Sequence, residues 1–261
     1  MAHIYTLANQ KGGVGKTTTA ISLGAYLGYY GQRVLLVDLD PQANATSSLG
    51  LDKQTVKVGT YEVLIGAAPI APQIWHSPRF KMSLLPSSPA LAGADVELID
   101  VARRETRLKE ALAPIVDRYD YILIDCPPSL SILTINGLVA AENGVIIPVQ
   151  CEYLALEGLG QLTQTLNRIK TTLFPGLKVR GIVLTMYLGH TLLGHDVVEE
   201  VKKFFPNQVF NAVIPRSVRL AEAPSRGIPI SLYAPESPAA KSYADLAREL
   251  LEQDGIHIPT I

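Results

Sequence analysis

Two lysines, two threonines and three glycines crowd into Asn9-Gln10-Lys11-Gly12-Gly13-Val14-Gly15-Lys16-Thr17-Thr18, and that set suits one task, holding a polyphosphate. Gly12, Gly13 and Gly15 permit backbone angles and close approaches that a Cβ blocks, so successive N–H groups can turn inward around an anion. A helix that starts near Lys16 adds unpaired N–H groups and the positive end of its dipole. Lys16 then reaches the terminal phosphates and the Thr17 hydroxyl suits Mg²⁺. Gly12, Gly13, Val14, Gly15, Lys16, Thr17 and Thr18 are therefore the expected nucleotide-binding stretch, with a nucleoside triphosphate and Mg²⁺ as its occupants.

The pattern G-x-x-x-x-G-K-[ST] is missed by one position, because Gln10 stands where its first glycine belongs. Lys11 is an extra lysine inside the loop. So close to the fold of the loop, it cannot easily turn its ammonium onto the phosphates that its own loop cradles, and a second active site is its natural target. The dinucleotide pattern G-x-G-x-x-G has Thr18 in place of its third glycine, although Asp38 stands at about the ~20-residue distance of its acid.

Acids follow at the ends of two apolar runs. Residues 34–38 read as a buried strand ending in Asp38-Leu39-Asp40-Pro41-Gln42, and carboxylates two apart on extended chain face one edge. One of the pair can hold the water shell of Mg²⁺ and the other can orient an attacking water. Residues 119–125 form a second such strand ending in Asp125, and Cys126-Pro127-Pro128-Ser129 then takes the chain out of the sheet. An acid there reaches the metal's water shell, and the proline loop lies where it can sense the γ-phosphate.

These residues need strands and helices to hold them. The run 4–8 before the loop, a helix over 17–30 stopped by Gly31, and strand 34–38 make a βαβ unit with a buried parallel sheet. Prolines at 69, 72, 78, 86 and 89 break up residues 50–95, leaving a short strand at 82–85. Residues 96–118 carry apolar residues near helical spacing and predict one amphipathic surface helix. Beyond them the pattern predicts helices at 131–141, 155–173, 196–205 and 237–253, and strands at 144–149, 179–186 and 208–214. Alternation to the end gives the α/β class, a twisted, mostly parallel β-sheet with helices on both faces.

The 261 residues, 48% of them hydrophobic, are expected to fold as a single domain, 1–261. A net charge of −1 offers no global attraction to nucleic acid or anionic lipid. Two cysteines are too few for a disulfide scaffold or a metal cluster. No signal segment and no run of ~20 apolar residues is present, so a soluble, cytoplasmic protein is expected.

Taken together, NQKGGVGKTTT, RVLLVDLDPQANATSSLG, YDYILIDCPPSL, VIPVQCEYLALEG, VLTMY and VIPRSVRLAEAPS cover nearly the whole chain. Their combination resembles the ParA-type partition ATPases, in the short Soj-like branch of the deviant Walker A (ParA/MinD) superfamily. The resemblance implies a P-loop NTPase fold with ATP as substrate and Mg²⁺ as cofactor. It further implies an ATP-dependent homodimer, binding to double-stranded DNA without sequence preference, and hydrolysis, slow alone, stimulated by a ParB-type centromere-binding protein. A nucleoid-associated location follows from that. Carried onto this chain, Lys16 and Thr17 hold phosphate and Mg²⁺, Lys11 reaches the other subunit's ATP, Asp40 positions the attacking water, and Asp38 and Asp125 support the metal. Met186 and the Pro215-Arg216-Ser217 turn lie near the adenine, with Ser217 in place of the family's asparagine.

The branch starts at its first strand and leaves no room for an N-terminal helix-turn-helix, so operator recognition is not expected. Between residues 164 and 226 nine basic residues face four acidic ones, a local excess of five that suits phosphate contact. Arg219 is the expected DNA contact. His190 stands where Soj-like proteins usually carry a DNA-contacting arginine, and it offers charge there only when protonated. A MinD-like membrane role needs a basic amphipathic tail, and residues 249–261 contain no lysine or arginine. A relative that positions another cargo, or a nucleotide-gated adaptor with negligible hydrolysis, shares all these motifs.

Overall fold

The computed structural model describes residues 2–257, so the last four residues of the acidic tail, 258–261, lie outside the described residues. Seven strands form one sheet: β1 (His3–Leu7), β2 (Val34–Asp38), β3 (Trp75–Ser77), β4 (Met82–Leu85), β5 (Tyr121–Asp125), β6 (Gly144–Gln150) and β7 (Val179–Thr185). Their order is β3-β4-β2-β5-β1-β6-β7, parallel throughout except for the β3–β4 hairpin at one edge. The helices are α1 (Lys16–Tyr29), α2 (Asn44–Ser48), α3 (Thr60–Ile65), α4 (Ala94–Glu97), α5 (Arg107–Leu112), α6 (Ile132–Ala140), α7 (Ala155–Thr172), α8 (Leu192–Phe204), α9 (Val218–Glu222), α10 (Ile230–Tyr233) and α11 (Pro238–Gln253).

The central strands are unbroken apolar runs because both faces of the sheet are covered. Alternate residues feed two cores. Leu35, Val37, Ile122 and Ile124 pack under α3 and α5 to α8 on one face. Leu36, Tyr121 and Leu123 pack under α1 and α11 on the other. Ser237 caps α11 by accepting from the Ala240 amide, and the helix then buries Tyr243, Leu246, Ala247 and Leu250. Registry sets the site: Asp125 lies opposite Leu7 on one side and Asp38 on the other, so both acids and the loop after β1 meet at one carboxyl edge.

Two expected elements are replaced. Residues 96–118 are not one helix but α4, α5 and two short 3₁₀ turns, with Arg103 left-handed at φ 57°. The cause is Asn136 on α6, which is fully buried, donates to the Arg104 carbonyl at 2.8 Å and accepts from the Leu108 amide at 3.0 Å. Backbone groups that would continue the helix are spent on that side chain. Likewise residues 208–214 run beside β7 with only isolated bridges, Ile182 to Val209 and Tyr187 to Pro215. The Asn211 and Ala212 amides point instead at the Glu249 carboxylate of α11, at 2.9 and 3.2 Å. Strand β3 was not expected, and α8 begins at Leu192 rather than 196 because Thr191 caps it.

Candidate active site

Residues between β1 and α1 wrap a cavity of about 300 Å³ lined by Gly12, Gly13, Gly15, Lys16, Thr17, Thr18, Asp40, Gln42, Asn44, Pro128 and Met186. Gly13 and Gly15 sit at φ 76° and 88°, where a side chain strains the backbone, and Gly15 is the N-cap of α1. The first turn of α1 holds no acid, so its free N–H groups face the cavity uncompensated. Three contacts make the loop rigid. Buried Asn9 accepts from the Lys11 amide at 3.0 Å while donating to the Pro148 carbonyl at 2.8 Å. Thr185, at the end of β7, donates to the Val14 carbonyl at 2.9 Å. Asn9 opens the loop stretch itself, whereas Thr185 is brought to it only by the fold.

Lys16 is 7% exposed and donates to the Lys11 carbonyl at 3.1 Å. Burial lowers its pKa, and Asp125, Cys126 and Asp40 nearby oppose that. Lys11 behaves differently. It lies outside the cavity that its own loop surrounds, and its ammonium is ion-paired with Glu152 after β6.

The three acids occupy distinct environments. Asp40 lines the cavity and accepts from the Gln42 amide at 2.9 Å. Asp38 is fully buried and turned inward, accepting from the Thr46 amide at 2.8 Å, the Thr46 hydroxyl at 2.7 Å and the Asp40 amide. Its carboxylate thus ties α2 to the strand, so that of the two carboxylates expected at one edge Asp40 lines the cavity and Asp38 is bonded to Thr46 beside it. Burial pushes its pKa to about 6 in spite of the Thr46 bonds. Asp125 is fully buried and neither carboxylate oxygen has a hydrogen-bond partner. Burial first, and then Asp38, drive its pKa well above the usual carboxylate range, with the Thr17 hydroxyl and Lys16 pulling it back. An orphaned buried carboxylate beside a phosphate cradle and a threonine hydroxyl fits a hydrated Mg²⁺. Among the described residues no group of three His, Cys, Asp or Glu is placed to hold a metal ion.

Met186 lines the cavity with φ 54°. The Pro215-Arg216-Ser217 turn adjoins it, since the Arg216 amide donates to the Tyr187 carbonyl at 3.0 Å, but these three residues do not line the cavity. Ser217 is the N-cap residue of α9, which carries Arg219; Arg219 pairs with Glu222 at 3.0 Å. His190 is exposed in the turn before α8. The basic excess of residues 164–226 does not form one surface: Arg180 is at the start of β7, at the opposite edge of the sheet, bonded to Tyr5 and Asp254. A larger cavity of about 530 Å³ also lies at that far edge, lined by Arg33, His76, Lys81 and Arg118 among others. It has neither a glycine loop nor a helix N-terminus, so the smaller cavity is the one with phosphate chemistry.

A family model described as an AAA domain matches residues 2–179. The sporulation initiation inhibitor protein Soj of Bacillus subtilis is 51% identical over 250 residues, 96% of this chain and 98% of its own length. The chromosome partitioning protein ParA of Myxococcus xanthus is 49% identical over 254 residues, 97% of this chain and 89% of its own. Among solved structures, cobyrinic acid a,c-diamide synthase from Mycobacterium smegmatis, with bound ATP analogue and magnesium, matches with a TM-score of 0.86 at 39% identity and covers 100% of both chains.

Proposed function

The chain belongs to the Soj/ParA family of chromosome-partitioning ATPases, P-loop NTPases built on this sheet, and from that premise we propose an ATP-driven dimerising switch that binds DNA without sequence preference. The observation that carries the reading is the 300 Å³ cradle with Lys16 and Thr17 on its wall and the unpartnered Asp125 carboxylate beneath it. ATP is its substrate and Mg²⁺ its cofactor, in line with the solved relative that holds an ATP analogue and magnesium. Mg²⁺, when bound, would neutralise charge on the phosphates, with Thr17 and Asp125 placed to hold its shell. Lys16 and the α1 N-terminus hold the phosphates. Asp40 orients the attacking water from the cavity wall, held in place by the Gln42 amide. Lys11, already directed away from its own cavity, reaches the nucleotide of a second copy once it leaves Glu152. The ATP dimer engages double-stranded DNA through Arg219, with His190 as a further contact. A ParB-type partner speeds a slow hydrolysis and resets the switch, in the cytoplasm on the nucleoid. Among the described residues no helix is long and apolar enough to cross a membrane.

Sedimentation and DNA retardation with ATP, ADP and no nucleotide test the reading. A dimer that binds DNA only with ATP is expected. Asp40→Ala should bind ATP with near wild-type affinity, lose hydrolysis by about a hundredfold or more, and stay dimeric on DNA, because a lost water-positioning group slows chemistry alone. A variant that hydrolyses normally, or a wild type that stays monomeric with ATP, counts against the proposal.

A further inference from the structure

The segment that carries Asp40 and the segment that carries Arg219 meet at a close backbone crossing. After Asp40 the chain turns through left-handed Ala43 into α2, where Thr46 holds the Asp38 carboxylate, and ends at Gly50 with φ 85°. After Arg219 the chain completes α9, runs through the 3₁₀ turn Ala223–Arg226 and ends at Gly227 with φ 65°. The two glycines meet backbone to backbone. A Cβ on Gly227 would fall 2.8 Å from the Gly50 Cα, and one on Gly50 would fall 3.4 Å from the Gly227 carbonyl oxygen. Beside this crossing a small pocket opens between Thr17, Thr18 and Ile21 of α1, Ser48 of α2, and Leu220 and Ala223.

We propose that the Gly50–Gly227 crossing is the joint through which the nucleotide site positions Arg219. The proposal rests on the reading that ATP governs DNA contact through α9. Side chains that interlock can absorb a shift by changing rotamer, whereas two backbones in contact cannot. A movement of the Asp38–Asp40 segment when nucleotide binds therefore passes through α2 to the 3₁₀ turn and α9. Gly50 and Gly227 are positioning residues; neither lines the cradle. Both being left-handed glycines lets the crossing be close, and either feature alone would be unremarked in the sequence.

Two measurements on the full chain test this. In wild-type protein, Mg·ATP should change amide hydrogen exchange of residues 43–51 and 223–228 together; a response confined to 43–51 overturns the joint. Gly227→Ala should keep ATP affinity within about twofold while the gain in DNA affinity produced by ATP falls about tenfold. Gly50→Ala, with its looser 3.4 Å contact, should lose less of it. Gly31→Ala is the control, since Gly31 has φ 87° and nothing within 4 Å of an added Cβ. It carries the same backbone strain and should leave the ATP-dependent gain intact. A Gly227→Ala protein with the wild-type gain, or equal losses in Gly227→Ala and Gly31→Ala, rejects the proposal. If wild-type DNA affinity ignores ATP, the functional reading itself fails, and the joint is then judged on the exchange of 223–228 alone.

Discussion

Asp125 sits in surroundings that disfavour its ionised carboxylate. Its carboxylate is buried beside Asp38 with no hydrogen bond to either oxygen, and in the ionised form that costs stability. A carboxyl whose folded pKa is raised stabilises the fold fully below its unfolded pKa, and the benefit is lost as pH rises through the folded value. For Asp38 the window runs from the ordinary ~3.9 to about 6, worth about 3 kcal/mol. Asp125 acts in the same direction. Asp125→Asn is therefore expected to raise the melting temperature of the ligand-free protein by roughly 3–6 °C, about 1–2 kcal/mol, at pH 8. The advantage over wild type should shrink as pH falls to 5. Mg·ATP should stabilise the wild type and do little for the variant. Scanning calorimetry with and without Mg·ATP checks all of this, and an Asp125→Asn protein less stable than wild type at pH 8 would mean that the carboxylate is paired after all. Lys16→Ala is a simpler case. It removes the only lysine that lines the cradle, and ATP binding by titration calorimetry should disappear.

At the scale of elements, side chains distant in sequence decide where helices and strands stop. Asn136 satisfies backbone groups of residues 104 and 108, so Asn136→Ala would take the partner from the buried Leu108 amide and the partly buried Arg104 carbonyl. A loss of roughly 2–4 kcal/mol is expected in chemical denaturation, with faster amide exchange in 104–108 and unchanged ATP affinity, because the pin lies outside the cradle. The same residue explains why 96–118 reads as one helix. Leu108, Leu112 and Ile115 are indeed core residues at helical spacing, but the partner that interrupts the backbone sits 28 positions from Leu108. Glu249, 38 positions from Asn211, likewise unpicks the strand expected at 208–214. The cradle was legible because its requirements fall on contiguous residues: glycines, a lysine and a threonine, then a helix. The strand-end acids were legible too, since unbroken apolar runs mark buried parallel strands. What sequence could not supply was direction. Asp38 and Asp40 are two apart, yet the turn at Asp40 sends one carboxylate to Thr46 and the other to the cavity wall.

For the whole molecule, a net charge of −1 means that any grip on DNA depends on how the charges are distributed. The parallel sheet separates them. Its carboxyl edge carries the cradle and, through the turn after Met186, the α9 segment with Arg219. Its opposite edge carries Arg180, anchored to Asp254, Tyr5 and Gln253. Both arginines fall within the stretch of basic excess, so sequence counts them alike, whereas only Arg219 is free to leave its partner. That partner, Glu222, is an exposed i,i+3 contact of small worth, so exchanging it for a phosphate costs little. Arg180 is only 18% exposed at its side chain and secures the C-terminal end of α11 against β1 and β7. Each phosphate contact contributes about 0.9 to the slope of log affinity against log salt on duplex DNA. Arg219→Ala should therefore lower that slope by about 2 for a dimer and weaken binding to all sequences alike. Arg180→Ala should lower the melting temperature while the salt slope of the protein that remains folded stays at the wild-type value. Fluorescence anisotropy with a random-sequence duplex, across 50 to 200 mM salt in the presence of ATP, separates the two. Equal slope changes in both variants would mean that the DNA spans both edges of the sheet, and a wild-type slope for Arg219→Ala would move the contact off α9.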